Sequence, residues 1–250
     1  MQTSLPQGFI PVMLTPFLEN GNIDFDGLTK LTEFYLEAGA AGLFANCLSS
    51  EMYELSEDER LAITKHVVDA ANGRVPVVAT GTFGGPIAEQ AEFVKKIYAT
   101  GIQAVIVITS LIATAEESDE VFMARMHELL SLTPGVSFGL YECPVPYKRL
   151  VTAENLGELA ATGRVIYHKD TSLDIENVKA KIAATQGHVF GVYDAYMEHA
   201  AASLKAGSAG LSCIQGNFFP EVIVWLCNNY NNPEQQAGVE KVQQLLIDTM

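Results

Sequence analysis

The chain has 250 residues, 48% of them hydrophobic, which is enough to bury a large core without disulfide or metal support. Thirty acidic residues face fifteen basic ones, and a formal charge of −15 with no basic run argues against nucleic acid and anionic membrane surfaces as partners. The four cysteines, Cys47, Cys143, Cys213 and Cys227, lack C-x-x-C spacing and sit in apolar segments, as expected of reduced thiols in an intracellular, cytoplasmic protein.

The opening residues MQTSLPQGF have neither the basic flank nor the apolar run of a signal peptide, and no apolar stretch approaches membrane-spanning length. From there, short apolar runs alternate with helix-period segments, the pattern of βαβ units and a parallel sheet. The predicted strands are 9–17, 42–48, 75–81, 104–110, 136–144, 165–171, 188–194 and 210–214. Asp24 is placed to cap the first helix, and Ser56 with Glu59 forms a capping box for the second. In EAGAAG, YATG, ATGR and KAGSAG a glycine stands just past a helix, where a left-handed C-cap belongs.

Eight such units in this length predict an α/β fold, a (β/α)8 TIM barrel, for which about 250 residues is usual. An open doubly wound sheet is the alternative, but no G-x-G-x-x-G follows the first strand, and GTFGG (81–85) lacks a Walker lysine. One domain is expected, with the barrel strands and intervening helices in 1–217. Residues 218–250 then supply the eighth helix and a short C-terminal helical extension, interrupted near Asn231–Pro233.

In a barrel the chemistry gathers at the C-terminal ends of the strands, which here carry Thr15, Leu48–Glu51, Ser110, Tyr141, Lys169, Asp194 and Ser212. The lysine in VIYHKDTS (165–172) has two readings: a strand that has simply ended in water, or an amine in an apolar pocket whose lowered pKa allows imine formation. Alternation puts Ser137, Gly139 and Tyr141 on one face of the fifth strand and Tyr167, Lys169 and Thr171 on one face of the sixth. Neighbouring strands lie about 4.8 Å apart, so an inward Tyr141 and Lys169 can share one substrate. A tyrosine beside an amine nucleophile suits imine chemistry, which moves protons on and off oxygen. His168 and Asp170 should point outward and be structural. His66, His127, His188 and His199 show no metal-ligand spacing, so no metal and no cofactor are expected.

Five motifs in order resemble the dihydrodipicolinate synthase and N-acetylneuraminate lyase family of class I, Schiff-base aldolases and lyases. GFIPVMLTPFLENGNIDFDGL (8–28) is similar to the family's opening strand with its T-P-F ending. SSEMYELSEDER (49–60) resembles the G-T-T-G-E loop and the following helix start. YECP (141–144) resembles Y-N-x-P, HKDTS (168–172) resembles I-K-D-S-S, and AGSAGLSCIQGN (206–217) resembles the eighth-strand motif. The resemblance implies that Lys169 forms the imine and Tyr141 shuttles protons. It implies that Ser49 and Ser50 lie in the loop binding a 2-oxo acid's carboxylate, and that Thr15 supports that loop or the tyrosine. Thr15 and Ser212 are grouped with the substrate-binding residues. A homo-oligomer, dimer or tetramer, is implied as well.

The departures bear on substrate. The T-T-G of the carboxylate loop reads Leu48-Ser49-Ser50, the P-Y-Y after the fourth strand reads Ser110-Leu111-Ile112, and the arginine after Y-N-x-P is Pro146. Lys148 and Arg149 follow as solvated charges or as contacts for a distal anion. Tyr167 replaces a usual glycine and should fill the barrel beneath Lys169. These changes argue against lysine biosynthesis and leave two functions open: a lyase, aldolase or hydro-lyase working through Lys169, or a weakly active or non-catalytic 2-oxo-acid-binding barrel.

Overall fold

Strands that alternate apolar residues on both faces need cover on both, and the chain supplies it by closing its sheet into a ring. The computed structural model describes residues 6–249. Its strands are β1 (Gly8–Phe9), β2 (Leu43–Phe44), β3 (Val77–Thr80), β4 (Ala104–Ile108), β5 (Phe138–Tyr141), β6 (Val165–Asp170), β7 (Gly191–Asp194) and β8 (Gly210–Leu211). All are parallel, in the order β1-β8-β7-β6-β5-β4-β3-β2. A bridge between Val12 and Phe44 closes the gap between β1 and β2, with Phe44 N–H donating to Pro11 O at 3.0 Å. The fold is a (β/α)8 barrel.

Helices α1 (Phe25–Glu37), α2 (Glu57–Ala71), α3 (Ile87–Tyr98), α4 (Asp119–Leu132), α5 (Ala153–Ala161), α6 (Ile175–Ala184), α7 (Ala200–Ala206) and α8 (Pro220–Asn229) follow their strands, and α9 (Gln236–Asp248) comes last. The caps behave as their chemistry requires: Asp24 accepts the Gly27 N–H, and Ser56 and Glu59 exchange hydrogen bonds. Gly101 and Gly207 end their helices at φ +101° and +104°, where a side chain would strain the turn. Among the described residues no helix is long and apolar enough to cross a membrane. Residues 1–5 of the opening segment lie outside the described residues.

Where strands 9–17 and 210–214 are predicted, the ladders cover only Gly8–Phe9 and Gly210–Leu211, with isolated bridges at Val12 and Phe17. Pro11 has no N–H to donate to a ladder, and the chain past β8 turns at once into a 3-10 helix at Gln215–Asn217. Similar short turns follow β2 at Leu48–Ser50, β4 at Thr109–Leu111 and β7 at Met197–His199. The barrel mouth is therefore built of tight turns.

Two apolar layers result. Phe138, Leu140, Val105 and Val107 pack outward against the helices, whereas Ile106, Ile108, Phe44, Tyr167 and Tyr193 fill the interior. Each such fully buried side chain contributes about 1.5–3 kcal/mol before entropy is counted. Tyr167 and Tyr193 stack with ring centroids 4.7 Å apart; Tyr167 stands two residues before Lys169 on β6, and Tyr193 is the register partner of Lys169 on β7. Room for the Tyr167 ring comes from Gly139, its partner across β5, where an added Cβ would meet Ile106 Cδ1 at 2.5 Å and Tyr167 Cδ1 at 2.7 Å.

Candidate active site

Lys169 ends the inward row of β6, and Tyr141 ends the inward row of β5 as its direct register partner. Lys169 Nζ lies 4.2 Å from the centre of the Tyr141 ring and 6.0 Å from that of Phe44. Both side chains are 4% exposed. Burial holds the Lys169 amine below the ordinary lysine range, while the thiols of Cys47, Cys143 and Cys213 act in the opposite sense. Burial likewise pushes the Tyr141 hydroxyl upward, so it stays protonated and able to donate. The Cys213 thiol is pushed up to about 12 by burial and is inert as a nucleophile at neutral pH.

The two residues open on a cavity of about 190 Å³ walled by Leu48, Ser49, Pro144, Lys148, Thr171, Leu173, Ala195, Ser212, Cys213 and Ile214. Of the residues expected from sequence, Lys169, Tyr141, Ser49 and Ser212 meet there. Thr15 and Ser50 stand behind the wall and do not line the cavity. Ser50 Oγ is fully buried, donates toward Met13 O at 2.7 Å and Ala45 O at 3.2 Å, and accepts the Cys47 N–H at 3.0 Å. Thr15 Oγ1 donates to Ser50 O at 2.9 Å. Their hydroxyls are spent on the turn that presents Ser49 to the cavity. Ser212 Oγ donates to Ile10 O at 2.9 Å and receives the Tyr167 hydroxyl at 3.4 Å, fixing the floor.

Arg149 is not a solvated charge. It is 9% exposed and donates to Thr114 O, Glu117 O and Asp119, holding the β4–α4 loop to the β5–α5 loop. Lys148 does border the cavity, with Nζ on Thr171 O at 2.7 Å. Ile112 is 2% exposed, and neither it nor Ser110 nor Leu111 borders this cavity.

Sequence alternation sends Glu142, His168 and Asp170 outward, but not to water: all three are fully buried. Their donor atoms lie within 4.8 Å of one another, a ligand set that a metal ion could use, yet Lys181 Nζ from α6 sits 2.6 Å from both carboxylates and fills that role as an ammonium. Burial alone would raise Glu142 and Asp170, but His168 and Lys181 outweigh it and hold both carboxyls below their ordinary range. Burial disfavours the His168 cation and Lys181 adds to this, but Glu142 and Asp170 together outweigh both, so its pKa is raised.

Known proteins share this arrangement of chain. A model of the dihydrodipicolinate synthetase family matches residues 5–250. The chain is 26% identical over 220 residues to the 4-hydroxy-tetrahydrodipicolinate synthase of Marinobacter nauticus, covering 88% of this chain and 74% of that protein. It is 27% identical over 249 residues to the putative 2-dehydro-3-deoxy-D-gluconate aldolase YagE of Escherichia coli, covering 98% and 81%. The crystal structure of Escherichia coli YagE in complex with pyruvate matches with a TM-score of 0.85 at 25% identity, covering 96% of this chain and 81% of that one. The dihydrodipicolinate synthase of Bacteroides thetaiotaomicron matches with a TM-score of 0.87 at 25% identity, covering 98% and 81%. Since the family model spans nearly the whole sequence and the fold agrees with it throughout, the chain belongs to the dihydrodipicolinate synthetase family and is an enzyme of the class I aldolase and lyase type.

Proposed function

We propose that this protein is a Schiff-base lyase or aldolase acting on pyruvate or another small 2-oxo acid, with Lys169 as the imine-forming nucleophile and Tyr141 as the proton shuttle. The observation that carries the reading is a buried amine, its pKa lowered by desolvation, opening on a small cavity with a tyrosine face 4.2 Å away. A free amine attacks the C2 carbonyl, the new C–N bond forming as the C=O π pair moves onto oxygen. A hydroxyl that stays protonated can donate to that oxygen, and loss of water gives the imine. Loss of a C3 proton then gives the enamine that attacks or releases a second carbonyl compound. Ser49, on the cavity wall, is the residue for the acid's carboxylate, supported from behind by Ser50 and Thr15. The pyruvate complex of Escherichia coli YagE supports pyruvate as the first ligand to try.

The test is borohydride reduction with each of a panel of 2-oxo acids, followed by peptide mass mapping. An adduct on Lys169 is expected; an adduct on another lysine, or none with any acid, overturns the reading. A second reading, a barrel that binds 2-oxo acids with little turnover, is favoured by one observation: with Leu48 in the carboxylate loop and the Ser50 hydroxyl turned inward, Ser49 supplies that loop's hydroxyl to the cavity alone. Turnover measured alongside trapping separates the two.

A further inference from the structure

Behind the pocket, on the outer side of β5 and β6, four buried side chains form a closed ionic set. Lys181 Nζ donates to Glu142 Oε1 and Asp170 Oδ2, each at 2.6 Å, and His168 Nε2 lies 3.5 Å from Glu142 Oε1 and 3.7 Å from Asp170 Oδ2. Burying such a set is costly, and apolar residues of similar volume would pack the seam between these strands and α6 at least as well. What apolar residues cannot do is hold two backbone N–H groups. Glu142 does: Oε1 accepts Val151 N–H at 2.8 Å and Oε2 accepts Thr171 N–H at 3.1 Å. Thr171 Oγ1 returns to Glu142 O at 2.5 Å, and Asp170 Oδ1 takes both the N–H and the hydroxyl of Ser172, at 2.8 and 2.6 Å.

These bonds end on the two loops that form one side of the Lys169 cavity. Val151 closes the loop carrying Pro144 and Lys148, and Thr171 opens the loop carrying Leu173; Pro144, Lys148, Thr171 and Leu173 all border the cavity. Leu173 stands at φ +64°, a conformation a leucine keeps only where its surroundings impose it. The Thr171 and Ser172 bonds fix the two residues immediately before it.

We propose that Glu142 is a positioning residue for the chemistry at Lys169: its carboxylate joins the loops after β5 and β6 into one pocket wall, and Lys181 holds that carboxylate in place. The assignment rests on the imine reading above. It works through geometry: Glu142 lies on the outer side of the strands and reaches the pocket through the two loop N–H groups it holds.

Pyruvate alone suffices for the test. Imine formation followed by loss and regain of a C3 proton exchanges the methyl hydrogens for deuterium in D₂O, which proton NMR follows. The wild type, Glu142→Gln and Lys181→Met are compared for borohydride trapping at Lys169, for exchange per trapped site, for the KM for pyruvate and for Tm. Glu142→Gln keeps side-chain length and volume and leaves Lys181 its bond to Asp170. Its single carbonyl oxygen cannot serve Val151, Thr171 and Lys181 together. Trapping should persist while exchange per trapped site falls roughly 10- to 100-fold and KM rises, the scale of a misplaced reacting group. Lys181→Met should give a smaller fall, because both loop N–H groups keep their acceptors.

A lower Tm with exchange per trapped site and KM unchanged would mark the cluster as structural only and overturn the assignment. If Glu142→Gln fails to fold, Lys181→Met decides by the same measurement, unchanged exchange again overturning it. An absent adduct in the wild type would instead overturn the imine reading, and this assignment with it.

Discussion

Tyr141 and Lys169 are register partners on adjacent parallel strands, and the lysine nitrogen hangs 4.2 Å over the tyrosine ring. A parallel ladder fixes their relative height, so neither depends on a mobile loop for its place. The loops instead shape what can approach them.

Replacing Tyr141 by Phe removes one hydroxyl from a packed ring and should leave the barrel intact. Pyruvate trapping at Lys169 should remain detectable, while turnover falls by roughly 10²- to 10⁴-fold, the usual loss of an acid–base group. Steady-state rates with the best substrate found by screening check this. Wild-type turnover in the variant would make Tyr141 a packing residue.

Lys169 also carries a stability cost. Its folded pKa lies below its unfolded value of about 10.4, so between the two the unfolded chain binds the extra proton and stability rises with pH. Lys169→Met should remove the cost. A gain on the order of 1 kcal/mol at pH 7, or about 2–4 °C in Tm for a chain of this size, should shrink as the pH approaches 10. Tm at pH 7 and pH 10 tests it; a variant less stable at pH 7 contradicts the buried-amine picture.

Period-2 alternation was sufficient to aim Tyr141 and Lys169 to one side and His168 and Asp170 to the other, because the two faces follow from local geometry alone, and the structure adds Glu142 to the outward set. It could not reveal that the outward three meet Lys181, since that depends on how α6 docks. The fate of the Ser50 hydroxyl was hidden for a similar reason: its acceptor, Met13 O, lies on β1's continuation thirty-seven positions away. Arg149 looked like a surface charge beside Lys148 because nothing local says that the Thr114 and Glu117 carbonyls come round to receive it.

Gly139 makes a sharper structural prediction. Alanine there would press on Ile106 and Tyr167 at 2.5 and 2.7 Å, beneath Tyr141 and Lys169. Overpacking of this kind costs about 1–3 kcal/mol. Because β5 and β6 must move apart to accept the methyl, Gly139→Ala should lower turnover as well as Tm. A drop in Tm without any change in turnover would mean that the strain is absorbed below the site.

The two neighbouring serines should separate cleanly in experiment. Ser49→Ala, at the cavity wall, should raise the KM for pyruvate with little change in Tm. Ser50→Ala leaves Met13 O with only the weak Cys47 thiol donor and takes the acceptor from the Cys47 N–H, and should cost about 1–3 kcal/mol of stability. Thermal melts and pyruvate saturation curves of both variants check the contrast; equal effects on KM would return Ser50 to the ligand.

The departures around the cavity predict a poor dihydrodipicolinate synthase. Condensing pyruvate with aspartate semialdehyde brings in a second carboxylate, and a site for it wants an oriented cation and groups that move protons. Leu48, Pro144, Leu173 and Ile214 supply neither, and Pro146 cannot replace an arginine. Ile112 is packed away and could carry no proton in any case. The rival view gives the task to Lys148, which borders the cavity and donates to the Thr171 carbonyl. An ammonium is a point charge without the planar fork that orients a carboxylate, so Lys148 should attract the second acid without aligning it. Condensation should stay weak even where the imine forms, and a kcat/KM at or above about 10⁴ M⁻¹s⁻¹, the lower end for ordinary enzymes, would show that Lys148 does the arginine's work.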